Sequence, residues 1–219
     1  MLDFTFIPRI LPSLLKGAGV TLWLTAAAVG IGFIIGSFMG IMASGTSKLL
    51  GIVSKLYINV IRGTPLLVQI FLIYFGIPAL IGASVPSTLA AIMALSINSG
   101  AYIGEIVRGG INSVDRGQFE AAFSLGMNRK LTMLHIIFPQ AFKRIIPMLG
   151  NEFIAMLKDS SLVAVISMEE LLRKGQLAVT RTFKPFEIYI VITLMYLVMT
   201  YCISLFVKWS ERRFATDER

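Results

Sequence analysis

Two hundred and nineteen residues suit either one soluble domain or a small membrane protein, and a composition 56% apolar with 15% charged residues decides for the membrane. Disorder, a disulfide-stapled scaffold and a coiled coil are excluded, and a mean hydropathy of +0.79 cannot be hidden in a globule this small. The net charge of +8 calls for no nucleic acid, because the basic residues of a membrane protein collect in loops left in the cytoplasm.

In chain order, Gly17 to Ser47 carries no charge and reads as one long helix, a span over about 15–43. Lys16 ahead of an apolar run imitates a signal peptide. The run continues past the cleavage-like Ala26-Ala27-Ala28, so a retained anchor is expected. Ala28, Gly32, Gly36 and Gly40 repeat every four residues and form a smooth face that lets another helix approach closely in lipid.

Between Arg62 and Glu105 lie 42 uncharged residues, too many for one crossing. Pro78, Gly82 and Pro86 divide them into spans over about 56–80 and 86–107. Thr64-Pro65 interrupts helical hydrogen bonding, and Gln69 follows one turn later. Asn98, Tyr102 and Glu105, at i, i+4 and i+7, share one polar face of the third span.

The longest loop, 108–144, has helical pattern. Phe119, Ala122, Phe123, Gly126 and Met127 make one amphipathic stripe, with Asp115 as its cap and Glu120 in its first turn. Gly126 permits a sharp change of direction. Leu131, Leu134, His135 and Phe138 make a second stripe that Pro139 is expected to stop. Two such helices either lie flat on lipid or dock into a groove of a soluble protein.

A fourth span over about 145–166 holds Glu152, Lys158 and Asp159, and a fifth runs over about 187–209. A charge inside a bilayer costs about 2.5–3.5 kcal/mol at a helix centre on insertion scales, so these residues mark function by default. Glu152 and Asp159 are seven residues apart, two turns, and share a face. Two readings stand side by side: a substrate site, or a structural ion network between subunits.

Lys and Arg number thirteen on the side holding 44–62, 108–144 and 208–219, against six on the other, with Lys158 inside a span. The N-terminus is therefore expected outside and the C-terminus in the cytoplasm. Arg173, Lys174, Arg181 and Lys184 give the outer loop a basic content of its own. Five spans without an internal repeat leave any symmetric pathway to be completed by a second subunit. His135 has no Cys or His nearby, Cys202 is the sole cysteine, and there is no phosphate loop, nucleophile elbow or zincin helix.

Glu120-Ala121-Ala122, then Gly126, then Ile136-Ile137-Phe138-Pro139 resembles the EAA loop of the membrane subunits of ATP-binding-cassette importers, with Phe138 where Leu is usual. Arg62 to Gln69, Asn98 to Ile111, and Gly150 to Phe153 with Lys158 to Ser161 extend the likeness to permeases of the polar amino acid uptake branch, over about 15–212.

The resemblance implies an all-α membrane protein of the type I importer kind, one permease domain over 1–219. Five transmembrane helices carry a coupling-helix loop between the third and fourth. It implies a bacterial cell membrane, a second permease chain, identical or sister, two copies of an ATPase that binds ATP and Mg, and an extracytoplasmic binding protein. No cofactor is expected in this chain. Glu120, Ala121, Ala122, Gly126 and Pro139 fall on the ATPase-coupling positions. Asn98, Glu152, Asp159, Lys158, Gln69 and Tyr102 are the candidate residues for a polar or charged amino acid. An ATPase-independent carrier or channel is the rival reading.

Overall fold

The computed structural model describes residues 3–214, with side chains described to residue 210, and its regular structure there is helical. The helices are α1 (Ile7–Ser44), α2 (Lys48–Arg62), α3 (Leu66–Ile81), α4 (Ser87–Asn112), α5 (Arg116–Ser124), α6 (Arg129–Thr132), α7 (Phe138–Asp159), α8 (Leu171–Thr182) and α9 (Pro185–Phe214). A 3₁₀ turn over Ser160–Ile166 follows α7.

The pair α1–α4 is the most extensive contact of the fold. A Cβ placed on Gly36 would lie 2.6 Å from the Gly100 carbonyl oxygen, and one on Gly40 would lie 2.6 Å from that of Gly104. Ala28, Gly32, Gly36 and Gly40 are all buried there. Lipid offers helices no hydrophobic reason to associate, so close backbone approach over small residues is what holds this pair. Large side chains such as Trp23, Ile34 and Phe38 on α1, and Leu197 and Phe206 on α9, point outward.

Among the described residues, Ile7–Ser44, Ser87–Asn112 and Pro185–Ser210 are each long and apolar enough to cross a membrane. The expected second span, 56–80, is not one straight helix: α2 and α3 meet at a bend of 101°. Pro65 offers no N–H and drives Thr64 out of helical geometry, so the chain turns at Gly63-Thr64-Pro65. The expected fourth span, 145–166, is α7 as far as Asp159 and then the 3₁₀ turn. Its charged residues keep it below the apolarity of the other three.

Pro139 does not stop a helix. It stands in the first turn of α7, directly after a π turn over Met133–Ile137. Pro78 stands at the same offset after a π turn over Leu72–Gly76 in α3. A proline ring clashes with the carbonyl four residues earlier, and Tyr74 and His135 both sit at the centre of their widened turns. The wider turn absorbs the ring and lets the helix run on.

The region expected as a plain outer loop, 167–187, contains α8. Glu170, fully buried, caps that helix by accepting from the N–H groups of Leu172 (2.9 Å) and Arg173 (2.7 Å). The Tyr196 hydroxyl donates to the same carboxylate at 2.9 Å, joining α9. The Thr21 hydroxyl accepts from Leu171 N–H at 3.1 Å, joining α1. Burial pushes the Glu170 carboxyl above its ordinary range, against the pull of these donors.

Candidate translocation site and coupling helix

Asp115 caps α5 by accepting the Gly117 N–H at 2.7 Å. Ala122 is buried, and Phe119 packs on the cluster of Ile103, Val107, Ile111, Ile137 and Ile145 contributed by α4, α7 and the π turn between α6 and α7. One face of this short helix is thereby fixed to the two long helices beneath it. Glu120 and Ala121 are exposed, with Phe123 at 47% and Leu125 at 82% exposure. After Leu125 the chain reverses at Gly126, whose φ of +78° lies where residues with a Cβ are strained.

The expected stripes need correcting here. Phe123 and Gly126 belong to the outer face, and only Phe119, Ala122 and Met127 turn inward. In the second segment, Leu131, Leu134 and His135 are exposed, while Thr132, Ile137 and Ala141 are buried. The π turn rotates the helix between Thr132 and Ile137, so a period counted through it selects the wrong face.

The candidate substrate residues fall into separate groups. Gln69 and Asn98 are bonded to each other, with Asn98 Nδ2 donating to Gln69 Oε1 at 3.0 Å. Gln69 Nε2 then reaches the Ile61 carbonyl (2.8 Å), the Thr64 carbonyl (3.1 Å) and the Thr64 hydroxyl (2.9 Å). Those carbonyls are among the groups that the break at Pro65 leaves without helical partners. Gln69 is a stitch across the bend, with Asn98 as its anchor on α4.

One to two turns further along α4, the Arg62 guanidinium lies 5.3 Å over the Tyr102 ring and 3.7 Å from Glu105. Arg108 closes on Glu105 with two bonds, at 2.9 and 2.5 Å. Tyr102 and Glu105 therefore engage Arg62, a residue the sequence offered as the end of a charge-free run and the start of a family-like stretch, without a role of its own. Its position, one residue before Gly63-Thr64-Pro65, was the available signal.

Glu152 is buried on α7, beside Ser99 of α4. Lys158 and Asp159 are exposed at the C-terminal end of α7. Buried Glu152 on α7 and the Arg62 group between α2 and α4 are two separate sets of charge within the helical bundle.

Residues 32–216 match the family model described as the binding-protein-dependent transport system inner membrane component, and the chain belongs to that family. It is similar to the glutamine transport system permease protein GlnP of Escherichia coli K12, 37% identical over 96% of this chain and 97% of that one. It is also 37% identical to the arginine transport system permease protein ArtQ of Bacillus subtilis, over 99% of both chains.

The fold superposes with a TM-score of 0.93 on an amino acid ABC transporter crystallised with histidines, at 45% identity over 97% of this chain and 99% of that one. The MetNI methionine ABC transporter shares the fold, with a TM-score of 0.79 at 16% identity, over 94% of this chain and 98% of that one. The chain is thus a permease subunit of an amino acid ABC transporter, with the type I importer fold.

Proposed function

We propose that two permease chains, this one with an identical or sister copy, form the path by which a polar amino acid enters a bacterial cell. ATP hydrolysed with Mg by two copies of a separate ATPase supplies the energy, and an extracytoplasmic binding protein supplies the substrate. The observation that carries this reading is α5: its inner face is fixed by Ala122 and Phe119, and its outer face leaves Glu120, Ala121, Phe123 and Leu125 free. A rigid prong of that kind suits docking in a cleft of a partner and passes its movement to α4 and α7 as a rigid body. Gly126 and Pro139 set its exit and the helix behind it.

Five crossings, with the α2–α3 elbow serving as one and α7 with its 3₁₀ turn as another, put the N-terminus outside and the C-terminus in the cytoplasm. The basic excess beside α5 supports that orientation. The substrate site is centred on Glu152, with Asp159, Lys158 and Tyr102 towards its rim and the Gln69–Asn98 pair shaping its wall. Relatives named for glutamine and arginine support a polar amino acid.

The test is uptake of labelled amino acids into proteoliposomes holding both permease chains and the ATPase. Gly126→Pro is expected to uncouple hydrolysis from uptake, since proline cannot take a φ of +78°. Glu152→Ala is expected to lower uptake at least tenfold while the complex still assembles. Accumulation by the permease without its ATPase would overturn the reading.

A further inference from the structure

Where α1 and α4 end beside α5, a cavity of about 440 Å³ opens, lined on its polar side by Ser44, Asn112, Arg116 and Arg129. Val114 and Phe119 close its other side. Neither arginine forms an ion pair among the described residues. The nearest acid in sequence, Asp115, accepts the Gly117 N–H and forms no ion pair with either arginine among the described residues. Ser44 Oγ is buried there with no hydrogen-bond partner among the described residues. Two guanidinium groups without an ion-pair partner and an amide line one space, with the unpartnered Ser44 hydroxyl buried in its wall.

We infer that this cavity binds a phosphate group, that of an anionic phospholipid whose head sits where α1 and α4 leave the bilayer. Guanidinium groups match phosphate oxygens with paired, directional bonds, and Asn112 supplies a neutral donor beside them. Basic pockets between spans at the cytoplasmic surface are where anionic lipid heads are held. The apolar wall of Val114 and Phe119 selects the lipid over free phosphate, because a glycerol root and the first methylenes of its chains fill it. The lipid head then braces the root of the coupling helix. This rests on the orientation proposed above, although the phosphate chemistry itself does not.

The full permease, purified with its ATPase and stripped of lipid, is titrated with phosphatidylglycerol, phosphatidylcholine or inorganic phosphate, and retention is read by native mass spectrometry. Wild type is expected to keep one phosphatidylglycerol per chain and no phosphatidylcholine. Arg116→Gln with Arg129→Gln is expected to weaken retention at least tenfold. Lys48→Gln with Lys55→Gln, which removes equal charge at the same end, leaves it unchanged.

Equal retention by wild type and the arginine variant overturns the proposal, as does equal loss in both double variants. Inorganic phosphate that displaces the lipid at matched concentration overturns the lipid as the source. Detachment of the ATPase with the lipid retained assigns the arginines to a protein partner and also overturns it. Cysteine labelling from either side of sealed vesicles reads the orientation separately, so an error there is distinguishable from an empty pocket.

Discussion

The α1–α4 pair and the α2–α3 elbow solve opposite problems. Along the glycine face α1 is continuous helix, and the glycines remove side chains until one backbone lies on the other. At the elbow the backbone is interrupted, and side chains are brought in to finish its hydrogen bonds. The first contact has no alternative geometry, because nothing in it can rotate away. The second is a set of amide and hydroxyl bonds around a turn, and such bonds can be exchanged one at a time. A permease needs both, a fixed frame and a joint.

Filling the frame should have the largest effect. Gly36→Leu forces a side chain into a space where a Cβ alone would be 2.6 Å from the Gly100 carbonyl oxygen and 2.7 Å from Ile103 Cβ. Overpacking of a well-filled core typically costs about 1–3 kcal/mol, and a backbone obstacle that cannot yield belongs at or above the top of that range. The expected outcome is loss of folded protein in detergent, read by size-exclusion yield. Gly30→Leu, on the same helix with nothing within 4 Å, is the control and should leave the yield unchanged. Equal yields from the two variants would mean that α1 and α4 are not held by this face.

Loosening the joint should cost less. Gln69→Leu keeps the bulk but leaves the Thr64 carbonyl and the Asn98 amide without their partner and strips the Ile61 carbonyl of its shortest bond, a penalty of about 1–3 kcal/mol. A stitch across the bend predicts a lower melting temperature together with altered transport. A residue that touched only substrate would change transport and leave melting where it was. That split decides between the two roles, and Asn98→Ala should follow Gln69→Leu at a smaller scale.

The same contrast explains what the sequence disclosed. A small residue every fourth position has one use in lipid, so the α1 face was legible as a packing surface before its partner was known. The break at Pro65 was legible too. The function of Gln69 was not, because its acceptor carbonyls come within reach only after the chain has turned through 101°. Proline misled at position 139, since a ring in a helix reads as a stop unless the π turn ahead of it is known. Helix α8 was missed although Leu171, Gly175 and Ala178 stand at i, i+4 and i+7 and are buried. The four basic residues over 173–184 drew the eye to charge and away from that stripe. On α7 the pattern announced Glu152 as a charge inside a span, but not that Arg62 would gather Tyr102 and Glu105 instead.

A third kind of contact, between exposed charges, should contribute least, and it sharpens the scale of the other two. Lys184, just before α9, pairs with Asp3 and lies 5.0 Å from the Phe6 ring, tying the start of the chain to the α8–α9 junction. The Lys184 ammonium, then the Thr5 hydroxyl and amide, hold the Asp3 carboxyl well below the usual carboxylate range. A depressed carboxylate stabilises the fold above its unfolded value, about 3.9, and loses that contribution as pH falls towards its folded value. Lys184→Gln should therefore melt slightly below wild type by a constant amount at pH 6 to 8, with the gap beginning to close below about pH 4, where Asp3 of the unfolded chain takes up a proton, and vanishing only as pH reaches the depressed value of the folded carboxyl. A gap that stayed open under acid would assign the loss to the contact with Phe6 rather than to charge. Screening by salt should shrink this gap and leave the Gly36 and Gln69 effects untouched, because neither of those depends on a solvated pair.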